Sequence, residues 1–330
     1  MKRVAINGFG RIGRTALRLI NEMSDVEVVA INDLTDPLQL AYLFKYDSVH
    51  RTLDGSVSYE DDAIIVNGKS IKVFKESDPV NLPWKELNID VVLECTGVFV
   101  SKEKCKAHIE AGAKKVIISA PAKDDAKTIV YGVNDDLLTE EDEIISCASC
   151  TTNCLAPIVH LLHKNYGVEQ GFMSTVHAMT NDQETLDIPH KKGIESRRGR
   201  AASVNIIPTS TGAASQIGKI IPELNGLLDG VAFRVPVADG SLVDLTAILK
   251  QKVTKEEINQ MFKSNQSETL RITNAPIVSS DIIGNHAGAI VDAALTNVME
   301  KDGKILVKVV GWYDNEVGYT AQMLRTLNKF

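Results

Sequence analysis

Short apolar runs in the first half of the chain alternate with segments of helical spacing. The runs are Val4–Ile6, Val26–Ile31, Val91–Leu93, Val116–Ile118 and Ile144–Ser146. Continuous apolar runs of this length are typical of parallel strands that are buried on both faces. The charged segment between Leu93 and Val116 ends at Gly112 and has the composition of a surface helix. Strands that alternate with helices predict an α/β domain with a doubly wound parallel sheet.

The pattern changes after residue 150, where the apolar runs are longer and alternate in part with polar residues. These runs are Phe172–Ala178, Val231–Val235, Leu242–Leu249 and Ile305–Trp312. Partial alternation predicts a mostly antiparallel sheet with one covered face. Thr254 and Glu257 have the spacing of a capping box, which predicts a helix that runs through Phe262. The second half is therefore predicted to be an α+β domain.

Three glycines at a fixed spacing, Gly8, Gly10 and Gly13, directly follow the first apolar run. A helical stretch comes next, and Asp33 stands twenty residues beyond Gly13. In Rossmann domains the first glycine permits a tight turn, the second lets the backbone approach a pyrophosphate, and the third lets helix and strand pack closely. This context predicts a dinucleotide site, whereas the glycines alone would be interpreted as an ordinary turn.

Asp33 indicates which dinucleotide binds. A carboxylate placed to bind the ribose 2′-hydroxyl repels a 2′-phosphate, and NADP sites usually offer an arginine at this place. Leu34 and Thr35 follow Asp33, and no cationic residue stands beside them. We therefore predict NAD as the cofactor.

Cys150 stands in the polar run 149–153, at the predicted start of a helix that ends before Gly167. Backbone N–H groups without partners and the positive end of the helix dipole favour a thiolate there and lower the pKa of a cysteine. The polar neighbours also suit the binding of an anion. We interpret Cys150 as a reactive thiol, and a buried structural cysteine is the alternative.

Charge and cysteine content exclude several classes of function. The formal net charge of −7 and the pI near 5.6 argue against nucleic acid or an anionic membrane surface as the main partner. No apolar stretch approaches the ~18 residues of a membrane-spanning helix, and no signal-peptide core follows Met1. The five cysteines have neither the spacing of a disulfide framework nor that of a zinc site. We predict a cytoplasmic protein without a metal site.

A long polar stretch from Thr180 to Asn205 lies between predicted strands. Segments of this length inside a compact domain are usually functional or part of an interface. Its lysines are interpreted as solvent-exposed. Thr211 and Gly212, which stand before a later helical start, are equally well interpreted as an anion cradle or as a helix cap.

Eight segments complete the pattern: Asn7–Arg14, Asn32–Asp33, Lys45–His50, Ala111–Pro121, Ala148–Pro157, Ser174–Ala178, Thr180–Gln183 and Trp312–Glu316. Together, and in this order, they resemble the phosphorylating glyceraldehyde-3-phosphate dehydrogenase family over almost the whole chain. The block around Cys150 is highly specific for that family by itself. The resemblance implies NAD-dependent oxidation of glyceraldehyde 3-phosphate with uptake of inorganic phosphate, a reaction of glycolysis.

The resemblance also implies roles for individual residues. Cys150 is the nucleophile that forms a thiohemiacetal and then a thioester, and His177 is the general base. Thr180 and Arg234 bind the phosphate of the substrate. The attacking phosphate is bound by Ser149, Thr151, Thr211 and Gly212. The implied cofactor contacts are Gly8, Gly10, Arg11, Ile12, Gly13, Asp33, Ser119 and Asn315.

The domain organisation follows from the same resemblance. It implies a dinucleotide-binding domain at 1–149 and a catalytic domain at 150–315. A C-terminal helix, at about 316–330, is expected to pack on the first domain, and the chain is expected to form a homotetramer.

Some positions depart from the family pattern. Ser77 stands where many relatives carry an arginine, and Met179 where many carry an aromatic residue. Cys147 is also unusual, and we expect it to pack as a small buried residue. The stretch from Lys191 to Ser203 is a few residues longer than the common pattern. The sequence therefore leaves open which arginine of that stretch assists phosphate; the choices are Arg197, Arg198 and Arg200.

Three other functions would use some of these residues. An erythrose-4-phosphate dehydrogenase of the same fold would form the same thioester and release it to water, but the retained phosphate-binding residues argue against it. A non-catalytic NAD-binding thiol redox sensor would need Cys150 but neither His177 nor Arg234. A cysteine hydrolase would leave the glycine pattern of a dinucleotide site unexplained.

Overall fold

The computed structural model describes residues 1–330 and divides into two compact units. The first unit comprises residues 1–129, 135–148 and 323–330, and the second comprises residues 130–134 and 149–322. The main division along the chain falls between Ala148 and Ser149, directly before Cys150. None of the helices combines the length and the apolar character that crossing a bilayer requires.

The first unit is built on one sheet. Its strands are β1 (Lys2–Asn7), β2 (Val26–Asn32), β3 (Val57–Glu60), β4 (Ala63–Val66), β5 (Lys69–Phe74), β6 (Val91–Glu94), β7 (Lys115–Ile118), β8 (Lys127–Thr128) and β9 (Ile144–Ser146). Their order is β3-β4-β5-β2-β1-β6-β7-β9-β8. The pairs from β5 to β8 are parallel, and only β3–β4 and β4–β5 are antiparallel. The predicted doubly wound parallel sheet is confirmed.

The antiparallel strands β3 to β5 were not predicted. Three of the four residues of β3 are exposed, and β5 alternates exposed with buried residues. Strands β3 and β5 therefore produce no continuous apolar run, whereas β4 is a mostly buried apolar run of four residues that was not among the predicted strands.

Three helices belong to the first unit: α1 (Arg11–Ile20), α2 (Pro37–Lys45) and α3 (Lys102–Glu110). The parallel strands supply buried side chains to a core on each face of the sheet, because successive side chains point to opposite faces. In β1, Val4 and Ile6 join one core and Ala5 joins the other. The first of these cores also contains Cys147, which is 2 % exposed, so its predicted burial is confirmed.

The second unit is built on a mixed sheet. Its strands are β10 (Val168–His177), β11 (Ile207–Ser210), β12 (Leu228–Arg234), β13 (Ser241–Leu249), β14 (Leu270–Thr273), β15 (Ala289–Asp292), β16 (Asn297–Lys301) and β17 (Lys304–Tyr313). The order is β11-β12-β10-β13-β17-β15-β14, and β16 pairs with β17. Only β10–β12 and β14–β15 are parallel pairs. The prediction of a mostly antiparallel sheet is confirmed.

The remaining helices are α4 (Cys150–Tyr166), α5 (Ile217–Ile220), α6 (Lys255–Ser264) and α7 (Val317–Lys329). Helix α4 is the central one, because ten of its residues are buried. It ends at Gly167, whose φ of +69° lies in the left-handed region that favours glycine. The last turns of α7 belong to the first unit, where Met323, Leu327 and Phe330 join the core.

Helix α6 begins with the capping box predicted from the sequence, in which the Thr254 hydroxyl accepts from the Glu257 N–H at 3.2 Å. Replacing Thr254 with alanine should lower the free energy of unfolding by about 1 kcal/mol, because this N–H loses its partner. Chemical denaturation followed by circular dichroism measures the change. Thr254→Ser keeps the hydroxyl and should retain the parental midpoint. Equal midpoints for both variants would contradict a stabilising cap.

Candidate active site

Cys150 and His177 lie side by side in the second unit. Cys150 is the first residue of α4, and the Ser149 hydroxyl caps this helix by accepting from the Thr152 N–H at 3.1 Å. His177 is the last residue of β10 and is 4 % exposed. Cys150 Sγ lies 3.3 Å from His177 Nε2. A thiol and an imidazole therefore meet where α4 begins and β10 ends.

The second ring nitrogen of His177 decides where its proton lies. Nδ1 lies 2.8 Å from the carbonyl oxygen of Ala178, which can only accept. We assign the proton to Nδ1, so that Nε2 presents a lone pair to the Cys150 thiol. Arg234 Nη1 lies 3.0 Å from Nδ1, but its two N–H groups donate to the same carbonyl at 3.1 Å and to Thr180 Oγ1 at 2.9 Å, so neither is needed at Nδ1. A fixed positive charge thus stands beside the ring.

Burial and charge set the protonation of this pair. Burial raises the pKa of the Cys150 thiol, and the opposing effects of Arg234 and of the hydrogen bonds from Thr151 are smaller. Burial also lowers the pKa of His177 to about 3; Arg234 and Arg198 add to this, and the hydrogen bond to Ala178 opposes it. Both directions favour a neutral thiol beside a neutral imidazole.

The expectation of a lowered pKa for Cys150 is therefore wrong for this structure. The sequence correctly places Cys150 at a helix start, where backbone N–H groups favour a thiolate. Burial outweighs that effect here, although Cys150 keeps part of its surface exposed. A pattern of residues does not reveal how far a sulfur atom is removed from water.

Thr180 and Arg234 form a cluster beside His177. Arg234 is the last residue of β12, and the parallel register with β10 sets it opposite His177. Arg234 Nη1 donates to Thr180 Oγ1 at 2.9 Å. Arg234 Nε is buried and has no hydrogen-bond partner within the chain. A buried guanidinium with an unused N–H fits an anion such as a phosphate.

The structure distinguishes the three arginines among which the sequence could not choose a phosphate-binding residue. Arg197 and Arg200 are exposed, and Arg200 forms an ion pair with Asp187 at 2.8 Å. Arg198 has only 13 % of its side chain exposed. Arg198 is therefore the arginine of this stretch that is directed into the second unit.

Asp182 and Thr209 hold Arg198 in this position. The Arg198 guanidinium forms a close ion pair with Asp182, and its Nε donates to Thr209 Oγ1 at 3.3 Å. Asp182 also accepts a close hydrogen bond from the Thr180 hydroxyl. Arg198 thus joins the Thr180–Arg234 cluster. The sequence could not single it out, because neighbouring arginines in one loop have the same chemistry and differ only in direction.

The predicted sites for the attacking phosphate lie at two turns of the second unit. Ser149 and Thr151 stand at the start of α4, where Thr151 Oγ1 is buried 2.8 Å from Tyr313 Oη. Thr211 and Gly212 follow β11, and Thr211 Oγ1 accepts from the Ala213 N–H at 3.2 Å. The Ser149, Thr151 and Thr211 hydroxyls all have partners within the chain.

The glycines of the first unit leave the space that a dinucleotide needs. Gly8 has a φ of +91°, and a Cβ there would lie 2.7 Å from the backbone nitrogen of Thr96. A Cβ on Gly13 would lie 2.2 Å from the Gly8 carbonyl oxygen. Gly10 is the N-cap residue of α1 and has no side chain to cap the helix. A Cβ added to Gly10 would have no heavy atom within 4 Å. The start of α1 is therefore open to a phosphate group.

Asp33 lies directly after β2 and joins two loops. Its Oδ2 accepts from the Phe9 N–H at 2.8 Å and its Oδ1 accepts from the Thr35 N–H at 3.0 Å. Each carboxylate oxygen keeps a lone pair for a ribose hydroxyl. These residues fit a dinucleotide whose adenosine ribose carries no phosphate.

The other predicted cofactor contacts of the first unit lie at helix and strand ends. Arg11 and Ile12 open α1, and the Arg11 side chain forms a close ion pair with Asp47. We therefore expect a ligand to contact the backbone of Arg11 rather than its guanidinium, which is paired with Asp47. Ser119 follows β7, and its N–H donates to the Glu94 carbonyl at 3.0 Å.

Asn315 lies in the second unit between β17 and α7 and is 5 % exposed. Its Oδ1 accepts from Ser241 Oγ at 2.6 Å, and Ser241 Oγ accepts from the Ala178 N–H at 3.0 Å. Asn315 is thus connected through Ser241 to the residue after His177. Sequence reasoning missed Ser241, because a serine within a strand has no distinctive spacing.

Family comparisons agree with this geometry. The model for the NAD binding domain of glyceraldehyde 3-phosphate dehydrogenase matches residues 2–102, and that for the C-terminal domain matches residues 149–315. The chain belongs to the glyceraldehyde-3-phosphate dehydrogenase family. The predictions of this family and of NAD as the cofactor are confirmed.

Similar proteins cover the full chain. Glyceraldehyde-3-phosphate dehydrogenase from Clostridium pasteurianum is 57 % identical over all of this chain and 98 % of its own length. The protein of the same name from Clostridium acetobutylicum is 56 % identical over the same shares. That from Streptococcus pyogenes is 51 % identical over 99 % of this chain and 98 % of its own. The chain is thus an NAD-dependent oxidoreductase of this family.

Replacing His177 with asparagine should slow alkylation of Cys150 and shift its pH profile upward. Asparagine cannot accept the thiol proton, and burial already raises the pKa of this thiol. Turnover should fall by about 10²–10⁴-fold. Rates of iodoacetamide reaction against pH measure the shift, and the exposed His286→Asn variant is the control. An unchanged profile with unchanged turnover would remove His177 from the mechanism.

Replacing Asp33 with alanine should weaken NAD binding and reduce the preference for NAD over NADP. The substitution removes both the ribose acceptor and the negative charge that repels a 2′-phosphate. The ratio of kcat/KM for the two cofactors measures the change. Asp25→Ala, an exposed aspartate before β2, should keep the parental ratio. If the Asp33→Ala ratio does not move, Asp33 does not lie at the ribose.

Proposed function

We propose that the protein is a phosphorylating glyceraldehyde-3-phosphate dehydrogenase of glycolysis, which converts glyceraldehyde 3-phosphate, NAD and inorganic phosphate into 1,3-bisphosphoglycerate and NADH. The observation that carries the proposal is the 3.3 Å contact between Cys150 Sγ and His177 Nε2, with Arg234 beside the same ring. Relatives of that name at 51–57 % identity support it.

The neutral Cys150–His177 pair is a suitable starting state for attack on an aldehyde. As Sγ bonds to the carbonyl carbon, Nε2 takes the thiol proton and then returns it to the alkoxide, which gives a thiohemiacetal. The backbone N–H of Cys150, at the first position of α4, is placed to donate to the developing oxyanion.

His177 serves again in the oxidation. Nε2 takes the thiohemiacetal hydroxyl proton as the carbon loses a hydride, and a thioester on Cys150 remains. When bound, NAD accepts that hydride. Phosphate then attacks the thioester carbon, the C–S bond breaks, and the protonated His177 returns its proton to the sulfur.

Two anion sites would position the phosphates. Thr180 and Arg234 would hold the phosphate of the aldehyde, since the guanidinium is buried and keeps an unused N–H. The attacking phosphate would be held by Ser149, Thr151, Thr211 and Gly212. Arg198 would lie between the two sites, because it pairs with Asp182 beside Thr180 and its Nε donates to Thr209, two residues before Thr211. A site for the attacking phosphate favours phosphate over water as the attacking group, which separates this reaction from erythrose-4-phosphate oxidation.

The proposed dinucleotide contacts in the first unit are Gly8, Gly10, Arg11, Ile12, Gly13, Asp33 and Ser119. In the second unit, Asn315 is the proposed contact. Its hydrogen-bonded link through Ser241 to Ala178 would fix its position relative to His177.

We also propose a homotetramer that works in the cytoplasm. Phe172, Val231 and Met299, on strands of the second sheet, are 73 %, 46 % and 60 % exposed, and such apolar side chains are typical of subunit interfaces. All five cysteines are free thiols, which fits a reducing compartment.

The test is to mix the protein with NAD, phosphate and glyceraldehyde 3-phosphate and to follow NADH absorbance. NADH should accumulate only when phosphate is present, and Cys150→Ser should abolish it while NAD binding survives. Phosphate-independent oxidation with a preference for erythrose 4-phosphate would favour the other dehydrogenase. NAD binding without any NADH would favour a redox sensor.

A further inference from the structure

A buried carboxylate, Glu94, stands at the end of β6 in the first unit and is 1 % exposed. Its Oε1 accepts from the Thr96 N–H at 2.8 Å and from the Thr96 hydroxyl in a closer contact. Its Oε2 accepts from Asn7 Nδ2 at 2.5 Å and lies 3.2 Å from His108 Nε2. Four donor positions therefore surround one carboxyl group.

Trp84 determines which ring nitrogen of His108 carries the proton. The indole N–H of Trp84 donates to His108 Nδ1 at 3.0 Å, so Nδ1 carries no proton. The proton of this fully buried, neutral ring is on Nε2 and is directed at Glu94. The N–H groups of Thr96, Asn7 and His108 can only donate, so both oxygens of Glu94 must accept.

Glu94 lies in a row of polar side chains across three adjacent parallel strands. Asn7 ends β1 and Asn32 ends β2, and the register pairs Asn7 with both Asn32 and Glu94. Asn32 Nδ2 donates to Asn7 Oδ1 at 2.7 Å, which continues the row from Glu94. Each of these side chains thus fixes the end of a strand.

The loops that follow these strands form the dinucleotide site. Gly8 follows Asn7, and Asp33 follows Asn32. Thr96, which Glu94 holds by two hydrogen bonds, packs so closely on Gly8 that a Cβ at Gly8 would lie 2.7 Å from its nitrogen. The position of one loop therefore constrains the next.

We propose that Glu94 is a positioning residue for NAD. Its carboxylate holds the Thr96 turn and, through Asn7 and Asn32, the Gly8 and Asp33 loops in the conformation that receives the dinucleotide. The affinity for NAD therefore depends on its two oxygens, although Glu94 does not itself touch the ligand. The proposal rests on the NAD site of the proposed function and not on the aldehyde chemistry.

Glu94→Gln tests this with almost no change in volume. A glutamine amide cannot replace all of these hydrogen bonds in either orientation. Its NH₂ group would face either the Thr96 N–H or the N–H groups of Asn7 and His108, and two donors do not bond to each other. The Kd for NAD should rise about tenfold or more, and kcat at saturating NAD should stay within about threefold of the parent. Isothermal titration calorimetry measures the Kd. Glu110→Gln, an exposed change on α3, should keep the parental Kd.

His108 supplies a second pair of variants, which decides the question if Glu94→Gln does not fold. Glutamine can donate to Glu94 and accept from Trp84, whereas leucine can do neither. His108→Leu should weaken NAD binding, and His108→Gln should restore most of it. A parental Kd in Glu94→Gln, or equal Kd values in the two His108 variants, would overturn the proposal. A parent that binds NAD but forms no NADH would overturn the proposed function and leave this test intact.

Discussion

The imidazole of His177 is restrained at both nitrogens, and the chemistry of the second unit depends on that restraint. The Ala178 carbonyl fixes Nδ1, so Nε2 faces the Cys150 sulfur at 3.3 Å. Arg234 reaches the same ring because β12 runs parallel to β10 in a register that aligns their last residues. Helix α4 brings Cys150 to this strand end. A small shift of either element would separate base and nucleophile.

Desolvation decides the resting state of that pair. The start of α4 offers Cys150 an environment that favours a thiolate, yet burial raises the pKa of the thiol and lowers the pKa of His177 to about 3. Charge separation is costly where water is excluded, so the neutral pair is favoured until a substrate provides an oxyanion to stabilise. The helix start then acts on the developing charge of the reaction rather than on the resting sulfur.

Both units place their polar residues at strand ends, but they use them differently. In the first unit, Asn7, Asn32 and Glu94 end parallel strands and hold the loops after them. In the second unit, His177 and Arg234 end strands, and the imidazole of His177 lies between Cys150 and Arg234. Residues at strand ends combine the rigidity of the sheet with access to a loop, which explains why these positions carry the function.

The sequence by itself determined the elements whose signals are local. Apolar runs identified the parallel strands, the spacing of Gly8, Gly10 and Gly13 identified the turn that packs against α1, and the polar run at Cys150 identified a helix start. The exposed strands β3 and β5 gave no such signal. Only the tertiary structure decided that Arg198 points inward and that burial raises the pKa of Cys150, because side-chain direction and burial depend on distant residues that pack together.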